Sequence, residues 1–166
     1  MADLSTLNAL PLLEARAAFL RCCGSIRWVE TMLSYRPFES VDQLYSLAEA
    51  EWDVLDRDDW LEAFAAHPRI GDIATLRKKF ASTATWSEGE QAGVQNADES
   101  VLQALAEGNR EYEARFGHIF IVCATGKSAT EMLGILRSRL TNDPDTELRV
   151  AAAEQAKITR LRLEKL

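Results

Sequence analysis

Leucine and alanine recur at three- and four-residue spacing along nearly the whole chain, and the breaks between these runs carry helix-start and helix-stop residues in place of hairpin turns. The pattern predicts an all-α fold. A helix is expected over 12–22, stopped at Gly24, and a second over 26–34, stopped before Pro37. Leu13, Ala17, Leu20, Trp28, Val29 and Leu33 are the expected core positions of this pair. Ser40 with Gln43 has the spacing of a capping box opening a helix to about Leu55, and Asp56 with Asp59 opens another to Ala66. Further helices are expected over 73–80, 88–95 and 99–116, the last capped by Asp98 and ended by Gly117. Ser128 with Glu131 starts one to Leu140, and Pro144 occupies the favoured first position of a long terminal helix. Residues 118–124, HIFIVCA, break the pattern: they are β-branched and aromatic, yet no second run offers a strand to pair with. They are read as a buried extended segment whose backbone amides need partners, a ligand being one candidate.

The expected architecture is one compact helical bundle of about eight helices without significant sheet, spanning residues 1–166 as a single domain, a length that buries a core without disulfides or a structural metal. A net charge of −7 opposes attraction to a phosphate backbone, which rests on clustered Lys and Arg, so no nucleic-acid partner is expected. Local cationic groups at Arg69, Arg77, Lys78 and Lys79, and from Lys157 to Lys165, still allow a pocket for an anionic small molecule. The three cysteines, two of them adjacent at Cys22 and Cys23, fit neither a disulfide framework nor zinc spacing, which points to a reducing compartment. The N-terminal stretch has acids and no basic region ahead of its short apolar run, and no segment approaches the roughly 18 apolar residues of a membrane span. A cytoplasmic protein without a membrane partner is expected.

Two short stretches carry candidate chemistry: HPRIGD at 67–72 and SEGEQAG at 87–93. Histidine gives or takes a proton near neutral pH, and a glutamate beside it can fix its tautomer or act as a second acid or base. Pro68 pushes His67 out of helical geometry, so the imidazole is expected to project from a turn at a helix end. Read individually, each has a plain structural alternative: Ser87 and Glu90 have ordinary capping-box spacing, and histidines often close helix ends. GKS at 126–128 is not a phosphate loop, because the glycine required five residues before the second glycine is Ile121. Zinc chemistry lacks a clustered ligand set, so catalysis here is expected to need no cofactor. Arg160 and Arg162 sit on the terminal helix among Ile158, Leu161 and Leu163, where solvated charge near a helix C-terminus is the simple reading and carboxylate recognition the functional one.

HPRIG, S-x-x-EQAG, RFGHIFIVCATGKS and KITRLRLEKL, in this order and over essentially the whole chain, resemble the 2-oxo-4-hydroxy-4-carboxy-5-ureidoimidazoline (OHCU) decarboxylase family of purine degradation. The resemblance implies an all-helical carboxy-lyase that acts after urate oxidase and hydroxyisourate hydrolase, releasing CO₂ and giving (S)-allantoin with neither metal nor organic cofactor. It also implies a homodimer. Carried over by motif, His67 and Glu90 are catalytic, while Pro68, Ser87, Glu88, Gly89 and Gln91 line the substrate site. Phe120, Ile121, Val122, Cys123 and Ala124 match a stretch that meets substrate largely through its backbone, and Arg162 matches an arginine on the last helix. His118 and Ile119 depart from the aromatic-proline pair of many animal members, and His118 receives no catalytic role. A helical interaction module, in which HPRIG is only a turn and S-x-x-E only a cap, is the alternative from a different class, with a metal-dependent hydrolase behind it. His67→Ala separates the first two: it abolishes turnover in an enzyme and does little in a module.

Overall fold

A computed structural model describes residues 1–68, 73–81 and 88–166, with the backbone alone at 73, 79–81 and 88–98. Among the described residues the chain forms helices and no strand: α1 (Leu4–Ala9), α2 (Leu12–Cys22), α3 (Ile26–Ser34), α4 (Val41–Asp53), α5 (Arg57–Ala65), α6 (Ile73–Ala81), α7 (Glu88–Phe116), α8 (Ala129–Arg139) and α9 (Pro144–Leu163). No helix among these residues is long and apolar enough to cross a membrane. The helices group into two units, one of Met1–His67, Ile121–Cys123 and Leu148–Leu166, the other of Pro68–Phe120 and Ala124–Glu147.

Helix starts in the first unit follow the capping residues. Ser25, Ser40 and Asp56 each accept a backbone N–H three residues on, from Trp28, Gln43 and Asp59, and Asp59 reaches back to the Asp56 N–H to complete a capping box. Gln43 instead accepts from the N–H of Glu39, one residue before the cap. Helix α1 was not among the expected elements. Asp3 caps it by accepting from the Thr6 N–H at 3.1 Å, and Asn8 exchanges two 2.9 Å hydrogen bonds with the backbone of Phe38.

Helix α2 has the expected bounds but buries a different face. Ala15, Ala18, Phe19 and Cys22 are inside, whereas Leu13 is 80% exposed, Leu20 38% exposed, and Ala17 lies on the surface. The buried set has i, i+3, i+4, i+7 spacing, and its small alanines let neighbouring helices approach while the Phe19 ring fills the core. Phe19 meets Trp28 and Phe38 edge-on, with ring centroids 5.9 and 6.1 Å apart. Trp28 and Val29 are buried as expected, and Leu33 is half-buried. Each deep indole finds an acceptor for its N–H: Trp28 donates to the carbonyl of Ala48 (3.0 Å), and Trp52 to that of Ala152 (2.9 Å), which ties α4 to α9.

In the second unit α7 is one continuous helix, where separate helices over 88–95 and 99–116 were expected. Gln95 to Glu99 contains no proline or glycine, so nothing interrupts the backbone ladder and Asp98 starts no new helix. The helix ends as anticipated at Gly117, whose φ of 78° is the left-handed geometry glycine adopts without cost, with its N–H on the carbonyl of Glu113. Helix α8 packs on α7 at Gly108, where any side chain would press into Leu136. Below that contact lies a buried polar group. Arg139 donates from Nε to Glu147 (2.7 Å), Tyr112 donates its hydroxyl to the same carboxylate, and Asn142 serves the second oxygen at 3.0 Å. The Arg139 guanidinium also stacks 4.6 Å from the centroid of the Phe120 ring. Among the described residues the side-chain partners of the buried Glu147 carboxylate are all donors, which offsets the cost of removing it from water.

Candidate active site

His67 stands two residues past the end of α5, just after its C-cap Ala66. Ala66 closes that helix through the carbonyl of Ala63, His67 bonds the carbonyl of Phe64 at 3.2 Å, and Pro68 prevents another turn. The pre-proline imidazole is half-buried, and it lies at a helix end as its sequence context predicted. Its Nε2 lies 2.5 Å from Oε1 of Gln155, a side chain on α9 with no exposed surface. Gln155 in turn donates from Nε2 to the Thr159 hydroxyl at 3.0 Å, and that hydroxyl lies 3.4 Å from the carbonyl of Cys22 at the end of α2.

A cleft of about 660 Å³ opens over this row of groups, with His67, Arg21, Cys22, Arg162 and Lys165 among its lining. Arg162 lines this cleft, and its Nη1 donates to the carbonyls of Arg21 (3.2 Å) and Cys22 (3.5 Å). These last carbonyls of α2 form the negative end of the helix dipole and favour a cation there. The floor is tight because α2 and α5 meet at Gly24, where a Cβ would overlap that of Ala66. One titratable base beside several cations gives the cleft the means to hold an anion and move its proton.

The neighbouring thiols do not suit nucleophilic work. Burial pushes Cys22 up to about 12 and outweighs the opposing charges of Arg162 and Arg21, while burial raises Cys23 to about 11. Both remain protonated at neutral pH, and it is the thiolate that attacks.

Ile121, Val122 and Cys123 form neither helix nor strand and belong to the first unit, with Ile121 and Cys123 buried. The amide of Cys123, expected to await a ligand, already donates to Oε2 of Glu154 at 3.0 Å, and Lys157 holds the other oxygen of that carboxylate at 2.9 Å. Phe120 and Ala124 belong to the second unit, as does Pro68. His118, also in the second unit, is buried edge-on against Tyr112 at 5.5 Å, with Nδ1 3.0 Å from the carbonyl of Ile119. Glu88, Gly89, Glu90 and Gln91 form the first turn of α7, and their side chains lie outside the described residues. So does Ser87 altogether.

Sequence reasoning brought His67 and Arg162 into one cleft but passed over Gln155 and Thr159. Their signal was present: Gln155, Thr159 and Arg162 follow i, i+4, i+7 spacing and put two uncharged polar side chains on the arginine's face of the helix.

The family model for OHCU decarboxylase matches residues 8–164. The "Uric acid degradation bifunctional protein TTL" of Arabidopsis thaliana is 40% identical over 147 residues, covering 87% of this chain and 45% of the relative. The corresponding PucL protein of Bacillus subtilis is 29% identical over 82% of this chain and 27% of its own length, so the chain spans less than half of each bifunctional relative. A crystal structure of an OHCU decarboxylase in the presence of (S)-allantoin superposes with a TM-score of 0.70 at 37% identity, covering 89% of this chain and 94% of that one. With the family model matching nearly from end to end, this chain belongs to the OHCU decarboxylase family.

Proposed function

We propose that this chain catalyses the cofactor-independent decarboxylation of OHCU to (S)-allantoin in urate catabolism, working as a cytoplasmic homodimer with the 166 residues acting as one domain. The observation that carries the reading is the cleft in which His67 and Arg162 face one cavity, in a chain that the family model matches over 8–164.

The chemistry requires little more than placement. Loss of CO₂ breaks the bond between ring carbon and carboxylate, and the electron pair passes into the adjacent C=N and carbonyl of the substrate, so no external electron sink is needed. The ring nitrogen takes up one proton, the 4-hydroxyl becomes a carbonyl, and a proton must reach the neighbouring ureido-bearing carbon from one side only. His67 is assigned this proton, taking it from the 4-hydroxyl and returning it to carbon. Arg162 is assigned the anionic oxygens, with Lys165 and Arg21 adding positive charge in the same cleft. Glu90 and Gln91, with Ser87, Glu88 and Gly89 around them, are assigned the ureido and ring N–H groups. Pro68 shapes the histidine's turn, and the backbone of Phe120 to Ala124 supplies amides other than that of Cys123. Support for these last assignments is the family motif alone.

Circular dichroism at an allantoin-sensitive wavelength tests the proposal, with the protein added to urate, urate oxidase and hydroxyisourate hydrolase beside a His67→Ala sample. Rapid formation of one enantiomer by the unaltered protein, slowed about 10²- to 10⁴-fold in the variant, is the expected result. Slow racemic product from both samples overturns it.

A further inference from the structure

We propose that Gln155 is a positioning residue that fixes His67 with its proton on Nε2, so that the neutral ring carries its lone pair on Nδ1 and exchanges protons there. This inference rests on His67 being the proton carrier of the decarboxylation.

The direction of the hydrogen bonds follows from the end of the row. The carbonyl of Cys22 can only accept, so the Thr159 hydroxyl, 3.4 Å away, gives it its proton. The Thr159 oxygen then offers a lone pair towards Gln155, and only the amide NH₂ can answer it, at 3.0 Å. With the nitrogen so directed, the carbonyl oxygen of Gln155 must face His67, at 2.5 Å from Nε2. An amide oxygen has no proton to give, so Nε2 is the donor in both the neutral ring and the cation. Rotating the amide by half a turn would set its NH₂ against the Nε2–H of His67 and its oxygen against the oxygen of Thr159, whose proton is already directed to Cys22. Gln155 has no exposed surface and Thr159 only 6%, so water does not readily relieve such a mismatch.

The consequence for chemistry is directional. Uptake of the hydroxyl proton at Nδ1 gives an imidazolium that keeps its Nε2–H on Gln155, and delivery to carbon returns the same Nδ1 to its lone-pair state. The ring never has to turn or change tautomer between the two steps, and the proton is presented from one fixed direction. Acidic side chains often orient a histidine in this way; here a neutral amide does so without adding a charge that would oppose an anionic substrate.

Long-range ¹H–¹⁵N spectra of the histidine rings read the tautomer directly, and the chain has only 2 histidines, so His67 is assigned by the signals that vanish in His67→Ala. The unaltered protein is expected to show the Nε2–H tautomer at a pH where the ring is neutral. Gln155→Leu and Thr159→Val are both expected to mix the tautomers, the first by removing the acceptor and the second by freeing the amide to rotate. Turnover should fall about 10- to 100-fold in Gln155→Leu, in kcat more than in KM, as when outer partners of metal-bound histidines are removed. An Nδ1–H tautomer in the unaltered protein overturns the proposal whether or not either variant folds. So does an unmixed Nε2–H signal in a folded Gln155→Leu. Because the spectra need no substrate, an unaltered protein that shows Nε2–H yet makes no allantoin overturns the decarboxylase reading and not the hydrogen-bond order.

Discussion

Arg162 reaches across from α9 to donate to the carbonyl of Arg21, 3.2 Å away, so the last helix of the chain grips the C-terminal end of α2. Guanidinium has five N–H donors in a rigid plane, and one arm can hold the helix end while the others serve an anion. Lysine keeps the charge but cannot do both. Arg162→Lys should therefore raise KM for the ureidoimidazoline about 10- to 100-fold, the range for a lost hydrogen bond to a charged group, with a smaller effect on kcat. Steady-state kinetics decide, and an unchanged KM removes Arg162 from the substrate site.

Gly24 is required for closeness. A Cβ there would overlap that of Ala66, the residue before His67, and Gly24 and Ala66 both line the cleft. Gly24→Ala should cost about 1–3 kcal/mol in urea unfolding, the usual range for overpacking, and should lower turnover by displacing the histidine's turn. A variant as stable and active as the parent would show that the α2 and α5 ends part without consequence.

The Arg139–Glu147 pair is a different kind of dependence, because both side chains are almost wholly inside, at 6% and 0% exposure. Removing Glu147 leaves the guanidinium charged and buried with the Tyr112 hydroxyl deprived of its acceptor. Glu147→Ala is expected to destabilise by about 3–5 kcal/mol, the range for breaking a buried pair from one side. Chemical denaturation measures this directly. A loss below about 1 kcal/mol, typical of exposed pairs, would mean that water reaches the group.

Local rules were legible in the sequence and long-range ones were not. Ser40, Asp56 and Ser128 each cap the helix they precede, because a cap is settled within three residues. Pre-proline geometry likewise placed His67 at a helix end. The buried face of α2 was misread because weight was given to Leu13 and Leu20, whereas close helix packing selected Ala15, Ala18 and Phe19. Gln155 was missed for another reason: its spacing puts it on the face of Arg162 but does not name its partner His67, which lies 88 residues away. Glu154 was equally hidden, and it takes the Cys123 amide that sequence reasoning had left for a ligand.

The two thiols at the end of α2 set an upper pH limit. Burial raises Cys22 from an ordinary 9.0 to about 12 and Cys23 from 9.0 to about 11, so the folded chain holds these protons more tightly than the unfolded chain does. Their contribution to stability is complete below pH 9, where both states are protonated. It is lost as pH rises from 9 towards 11 and 12, because the unfolded thiols ionise first. Tyr112 moves the same way from its ordinary 10.0, through burial and then its bond to Glu147, and adds to the alkaline loss. Each pKa unit corresponds to about 1.4 kcal/mol, so the unfolding free energy from urea titrations should hold from pH 7 to 9 and then fall by an amount on the order of a few kcal/mol by pH 11. Replacing both cysteines, as Cys22→Ala with Cys23→Ala, should flatten part of that fall while costing stability at pH 7. An alkaline slope identical in the double variant would assign the whole effect to Tyr112 and other groups.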